Sequence, residues 1–173
     1  MHLLHVYTGD GKGKTTAAMG LALRALGHGR KVLVAQFLKD GRSGELSPLS
    51  AIPGCTVFRG EGVQGFASLM DEAARAEVLR RECVQAAALT DLIGRTSPDM
   101  VVLDELATAA GMACLSRSAA EALLDAALAC AETVVTGRGA PDWLLDRADY
   151  LTQCVCLRHP YRQGISAREG VEW

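Results

Sequence analysis

Thr8-Gly9-Asp10-Gly11-Lys12-Gly13-Lys14-Thr15-Thr16 stands where a short apolar run, Leu3 to Thr8, hands over to a stretch of helical periodicity from Thr15 to about Leu26. Alternating glycines let the backbone curl so that its N–H groups face inward, and the helix start adds the positive end of its dipole. A phosphate chain fits such a strand-loop-helix junction, with all nine residues from Thr8 to Thr16 as candidate nucleotide contacts. Lys14 would bring a point charge to phosphate oxygens, and the Thr15 hydroxyl would ligate a magnesium ion. The competing reading is a flexible glycine turn. The spacing also departs from the usual phosphate loop: five positions before Gly13 stands Thr8, and Gly9 comes one position late. Phosphate binding survives this shortening, but transfer of the γ-phosphate does not follow from it, because a shorter loop can hold the triphosphate in another register or direction.

Outward from the loop, strand-length apolar runs alternate with helical stretches. Lys31 to Leu38 reads as a second strand and Cys55 to Arg59 as a weaker third. A Gly-rich loop then leads to a long helix, roughly Met70 to Ile93. Asp99 to Asp104 is almost wholly apolar, like strands buried on both faces of a parallel sheet. Ser116 can cap a helix running to about Cys130, and Pro141 to Arg147 makes a short helix between strands at Thr133 to Thr136 and Tyr150 to Leu157. The alternation predicts an α/β fold with a mostly parallel sheet and helices on both faces, its ligand crevice at the carboxyl ends of the strands. The 173 residues suit one nucleotide-binding domain spanning residues 1–173.

Two further motifs fall at that carboxyl edge. Met100-Val101-Val102-Leu103-Asp104-Glu105 ends an apolar strand in two carboxylates, where Asp104 and Glu105 would reach a magnesium ion directly or through water. Acids in that position also serve as helix starts. Val134-Val135-Thr136-Gly137-Arg138-Gly139 carries an arginine out of an inner strand, where its planar fork suits triphosphate oxygens; a plain surface arginine is the alternative.

Composition narrows the partners. Eighteen Lys and Arg against twenty Asp and Glu give a net charge of -2, too balanced for a general attraction to nucleic acid or an anionic membrane. The chain has no apolar run of membrane-spanning length and no secretory leader at Met1, so a cytoplasmic protein is expected. Six scattered cysteines then read as buried thiols. Cys154 and Cys156, in an alternating run, are expected on one face of the last strand, where with His159 they would make at most an incomplete metal set.

GDGKGKTTAAMG, VAQFLKD, MVVLDELATA, TGRGAPDWLLDRAD and HPYRQGISAREGVEW, in this order and separation, resemble the P-loop-type corrinoid adenosyltransferases across nearly the whole chain. The resemblance implies a P-loop NTPase-like, RecA-like fold that holds ATP in the reverse sense, so that C5′ of the adenosine is presented for attack. A cobalt(I) corrinoid, cobalamin or a precursor, would attack C5′ and tripolyphosphate would leave. Lys14, Thr15 with Mg2+, Glu105 and Arg138 would stabilise the departing triphosphate, with Asp104 beside the metal. A flavodoxin-like electron-transfer protein as reductant and a homodimer are also implied. Phe66 matches an aromatic that displaces the lower axial ligand of cobalt, although Ser68 stands where well-known members carry tryptophan. A core phenylalanine is the other reading of Phe66. Longer members have a helical segment ahead of the first strand; here the Gly60 to Phe66 loop, the tail or a partner subunit is expected to close the site. The residues alone also leave open a nucleoside or small-molecule kinase and a nucleotide-switched corrinoid-binding module.

Overall fold

A computed structural model of the chain describes residues 1–39, 43–60 and 71–171. Its strands are β1 (Leu4–Thr8), β2 (Val32–Gln36), β3 (Cys55–Phe58), β4 (Met100–Asp104), β5 (Glu132–Thr136) and β6 (Tyr150–Gln153). All pair in parallel, in the order β3-β2-β4-β5-β1-β6. The helices are α1 (Lys14–Gly27), α2 (Leu46–Ser50), α3 (Glu72–Thr96), α4 (Leu106–Gly111), α5 (Arg117–Cys130) and α6 (Asp142–Leu145). The expected α/β architecture is therefore present.

Why helices cover both faces follows from the two-residue alternation of the strands. Val32 and Val34 of β2, Met100 and Val102 of β4 and Val134 of β5 meet Ala18, Met19, Ala22 and Leu26 of α1, together with Leu46 and Leu49 of α2. The intervening residues, Leu33, Ala35, Val101, Leu103 and Val135, turn the other way and pack on α3, α4, α5 and α6. Asp71 and Ser116 cap α3 and α5 by accepting the N–H groups of Ala74 at 2.8 Å and Ala119 at 3.2 Å.

The order matters for the site. β5 lies between β1 and β4, so the phosphate loop after β1, the Thr136-Gly137-Arg138 turn after β5 and the Asp104-Glu105 pair after β4 leave neighbouring strands at the same edge.

Three sequence expectations need correction. Tyr150 to Leu157 is a strand only as far as Gln153, because its one neighbour, β1, ends at Thr8 and offers no ladder beyond. Cys154 and Cys156 therefore lie past the strand, and of the six cysteines expected as buried thiols only Cys114 is buried, the others being part-exposed. The short helices α2 and α4, and a 3₁₀ turn at Pro160–Gln163, were not expected; pieces this short lack a periodicity to read.

Candidate active site

Gly13 caps α1, and the loop before it is roofed by the chain that leaves β6. Cys154 N–H donates to the Thr8 carbonyl, and Gly11 N–H donates to the Cys154 carbonyl, both at 2.8 Å. This contact explains one of the glycines. A Cβ on Gly9 would stand 2.5 Å from the Cys154 oxygen, and Gly9 also has φ 95, so a larger residue is barred twice.

Inside the curl, Lys14 is buried and donates from Nζ to the carbonyls of Gly9 at 2.6 Å and Gly11 at 2.7 Å. Burial, then the nearby Arg138 guanidinium, pulls its pKa below the ordinary lysine value, while Cys154, Glu105 and Asp10 oppose the shift. An anion entering the loop would offset both effects by stabilising the charged ammonium. Asp10, Lys12 and Thr16 are exposed around the rim, and Lys12 Nζ donates to the carbonyl of Val171, which brings the tail over the loop.

Asp104 is the most heavily bonded group here. Its side chain is fully buried, and Oδ1 accepts from the Thr15 hydroxyl at 2.7 Å and the Thr136 hydroxyl at 2.6 Å. Oδ2 accepts from Gln36 Nε2 at 3.0 Å and Lys39 Nζ at 2.7 Å. Glu105 follows in the left-handed region at φ 63, a conformation costing a side-chain-bearing residue roughly 1–2 kcal/mol. Its N–H donates to the Thr136 hydroxyl at 3.0 Å, and its Oε2 accepts from the Thr108 hydroxyl at 2.5 Å.

The Thr108 hydroxyl in turn accepts the N–H of Arg138 at 2.8 Å. Close approach requires Gly137 at this crossing: a Cβ there would lie 2.4 Å from the Thr108 nitrogen. Arg138 itself is exposed and close enough to influence Lys14. Lys14, Thr15, Asp104, Glu105 and Arg138 are thus brought to one sheet edge. Phe66 lies outside the described residues.

Sequence reasoning missed Thr108, Thr136, Gln36 and Lys39. The two threonines sit inside motifs that were noticed, but threonine in or near a strand carries no signal of its own beyond β-propensity. Gln36 and Lys39 belong to the VAQFLKD segment, whose approach to Asp104 depends on the pairing of β2 with β4, Gln36 opposite Asp104.

Thr15, Asp104 and Glu105 offer hard oxygen donors, which fits Mg2+. They are too few to enclose the ion, so its remaining ligands would come from phosphate oxygens and water, the usual arrangement for that cation.

The family model for ATP:corrinoid adenosyltransferases BtuR/CobO/CobP matches residues 1–173. A corrinoid adenosyltransferase of Pseudomonas aeruginosa is 35% identical over 172 residues, covering 99% of this chain and 83% of its own length. The corrinoid adenosyltransferase CobA of Salmonella typhimurium is 32% identical over 181 residues, covering 99% and 85%, and that of Escherichia coli is 33% identical over 172 residues. The chain belongs to the ATP:corrinoid adenosyltransferase family. It is a transferase whose substrates are ATP and a corrinoid.

Proposed function

We propose that this chain works as one nucleotide-binding domain that turns ATP so that C5′, and not the γ-phosphorus, faces the second substrate. The observation that carries this reading is the shortened loop, in which Lys14 is drawn deep between Gly9 and Gly11 under the Cys154 roof. The electron pair of cobalt(I) in the corrinoid forms the cobalt–carbon bond at C5′. The C5′–O bond breaks, and its electrons leave with tripolyphosphate. No proton is transferred at C5′, which suits a site whose titratable groups, Lys14, Asp104, Glu105 and Arg138, are arranged around the leaving group.

Each residue then has a physical task. Lys14 and the loop N–H groups stabilise charge gathering on the triphosphate, and Arg138 adds a planar fork from the β5 side. Thr15 and Asp104 would hold Mg2+, with Glu105 beside them; the ion supplies further charge neutralisation to the leaving group when bound. Thr136 and Thr108 keep Asp104, Glu105 and Arg138 in register. The remaining loop residues, Thr8 to Gly13 and Thr16, line the phosphate path, and Phe66 serves the corrinoid side.

Among the described residues no helix is long and apolar enough to cross a membrane; the family reading assigns the enzyme to the cytoplasm, with a flavodoxin-like electron-transfer protein as reductant. Exposed Tyr150, Leu151, Val155 and Leu157, on and beyond an edge strand, support a homodimer. Incubation with ATP, Mg2+ and chemically reduced cobalamin tests the reading. The visible spectrum should become that of an alkylated corrinoid, with one tripolyphosphate released per product, and Lys14→Ala should abolish both. ADP or orthophosphate as the phosphorus product would overturn it in favour of a kinase or a nucleotide-switched module.

A further inference from the structure

The chain turns sharply as it leaves β2, and the turn is fixed from two sides. Phe37 N–H donates to the Asp104 carbonyl at 2.8 Å, and Gln85 Nε2 of α3 donates to the Gln36 carbonyl at 2.9 Å. Leu38, in the left-handed region at φ 57, donates its N–H to Glu82 Oε1 at 3.2 Å. Glu82 stands in the buried stripe of α3 formed with Val78, Ala86, Leu89 and Ile93, and among the described residues its Oε2 has no hydrogen-bond partner. A carboxyl is out of place in such a stripe unless the turn it holds matters.

What the turn positions is Lys39. Its Nζ lies 2.7 Å from Oδ2 of Asp104, and its side chain keeps 29% exposure while that of Asp104 has none. The two hydroxyls on Oδ1 and the amide on Oδ2 are neutral donors, so Lys39 supplies the positive charge that a buried carboxylate requires. That is also the role of a divalent cation recruited by Asp104, and two cations on one carboxylate repel.

We propose that Lys39 is a mobile phosphate-binding residue of this site, stored on Asp104 until a cation arrives and then transferred to an oxygen of the triphosphate. The inference rests on the triphosphate and metal reading above. The half-exposed stem and the flexible four-carbon chain of lysine allow the move, and the phosphate oxygens beside the incoming ion are the nearest new anions. The Glu82 and Gln85 contacts hold the backbone of the turn while the side chain swings.

Mn2+ and inorganic tripolyphosphate test this without turnover. Wild-type protein, Lys39→Met, Lys39→Arg and Lys14→Ala would be titrated with Mn2+ alone, followed by electron paramagnetic resonance, and then with tripolyphosphate in saturating Mn2+ by calorimetry. Salt of about 1 M shortens the Debye length to roughly 3 Å, so that only direct contacts count. In Lys39→Met, Mn2+ alone should bind about 10-fold tighter and tripolyphosphate about 10-fold weaker, with Lys39→Arg recovering the tripolyphosphate affinity. These opposite signs separate the proposal from a structural role, which would weaken both. Unchanged binding in Lys39→Met, or weakening of both ligands, would overturn the proposal while loss of binding in Lys14→Ala left the site reading intact. A wild-type protein that binds no tripolyphosphate would overturn the site reading and this inference with it.

Discussion

The hydroxyl of Thr15 donates to Oδ1 of Asp104 at 2.7 Å across 89 residues of sequence, joining the first turn of α1 to the end of β4. β5 stands between their strands and contributes Thr136, whose hydroxyl donates to the same carboxylate oxygen. Thr136, which contributes no charge, thus fixes the carboxylate oxygen to which the first turn of α1 is bonded.

Thr136→Val keeps the shape of the side chain and removes both of its hydrogen bonds, to Asp104 and from Glu105 N–H. Leaving those buried groups short of a partner should cost about 1–3 kcal/mol of stability. Loss of register at Asp104 and Glu105 should lower kcat by about 10–100-fold, equivalent to roughly 1.4–2.7 kcal/mol in the transition state. Thr136→Ser should recover most of both losses. Steady-state kinetics beside thermal melts check this, and wild-type kcat in Thr136→Val would show that the bridge is dispensable.

Glu82 gives the fold a pH dependence of known sign. Burial pushes its carboxyl from the ordinary 4.5 up to about 7, only partly offset by the Leu38 N–H bond. Between those values the folded chain holds more protons than the unfolded one, so this group's contribution falls as pH rises through the window. Glu82→Gln cannot ionise and still accepts the Leu38 N–H. It should therefore stabilise the protein by roughly 2–3 kcal/mol at about pH 8 and by little at about pH 5. Chemical denaturation at the two pH values measures the difference; an equal gain at both would mean that Glu82 is ionised, or neutral, throughout.

The inner strands β2 and β4 were legible because they are apolar on both faces, and α5 because it begins at a recognisable cap, Ser116. Lys14, Asp104 and Arg138 were legible because glycine placement and strand ends reveal them locally. Thr136, Thr108 and Lys39 were hidden for a different reason. Their meaning comes from strand order, which sets β5 beside both β1 and β4 and brings Lys39 to a carboxylate 65 residues away. Glu82 is intermediate: it interrupts the apolar stripe of α3 in plain view, but only the Leu38 contact gives the interruption a purpose. The excess length read into β6 came from an alternation that continues after its only neighbour has ended.

Phe66 separates two physical roles through paired assays. If its ring displaces the lower axial ligand, Phe66→Ala should injure the reaction that starts from cobalt(II) and a biological reductant far more than the reaction given preformed cobalt(I). Ligand removal aids reduction, whereas attack on C5′ depends on the triphosphate contacts. Truncation of a buried core phenylalanine instead costs about 3–5 kcal/mol, which would lower the melting temperature and harm both assays together. Equal losses with a large thermal shift would remove Phe66 from the corrinoid side.

Attack at C5′ breaks the bond between C5′ and its ester oxygen, whereas attack at phosphorus leaves that bond whole. ATP carrying heavy oxygen at that one ester position, incubated with Mg2+ and chemically reduced corrinoid, reports the bond directly by mass spectrometry of the products. The heavy atom should leave entirely with tripolyphosphate, with none remaining on the adenosyl product. Heavy oxygen retained on an adenosine nucleotide product would place the cleavage at phosphorus and rule out attack at C5′.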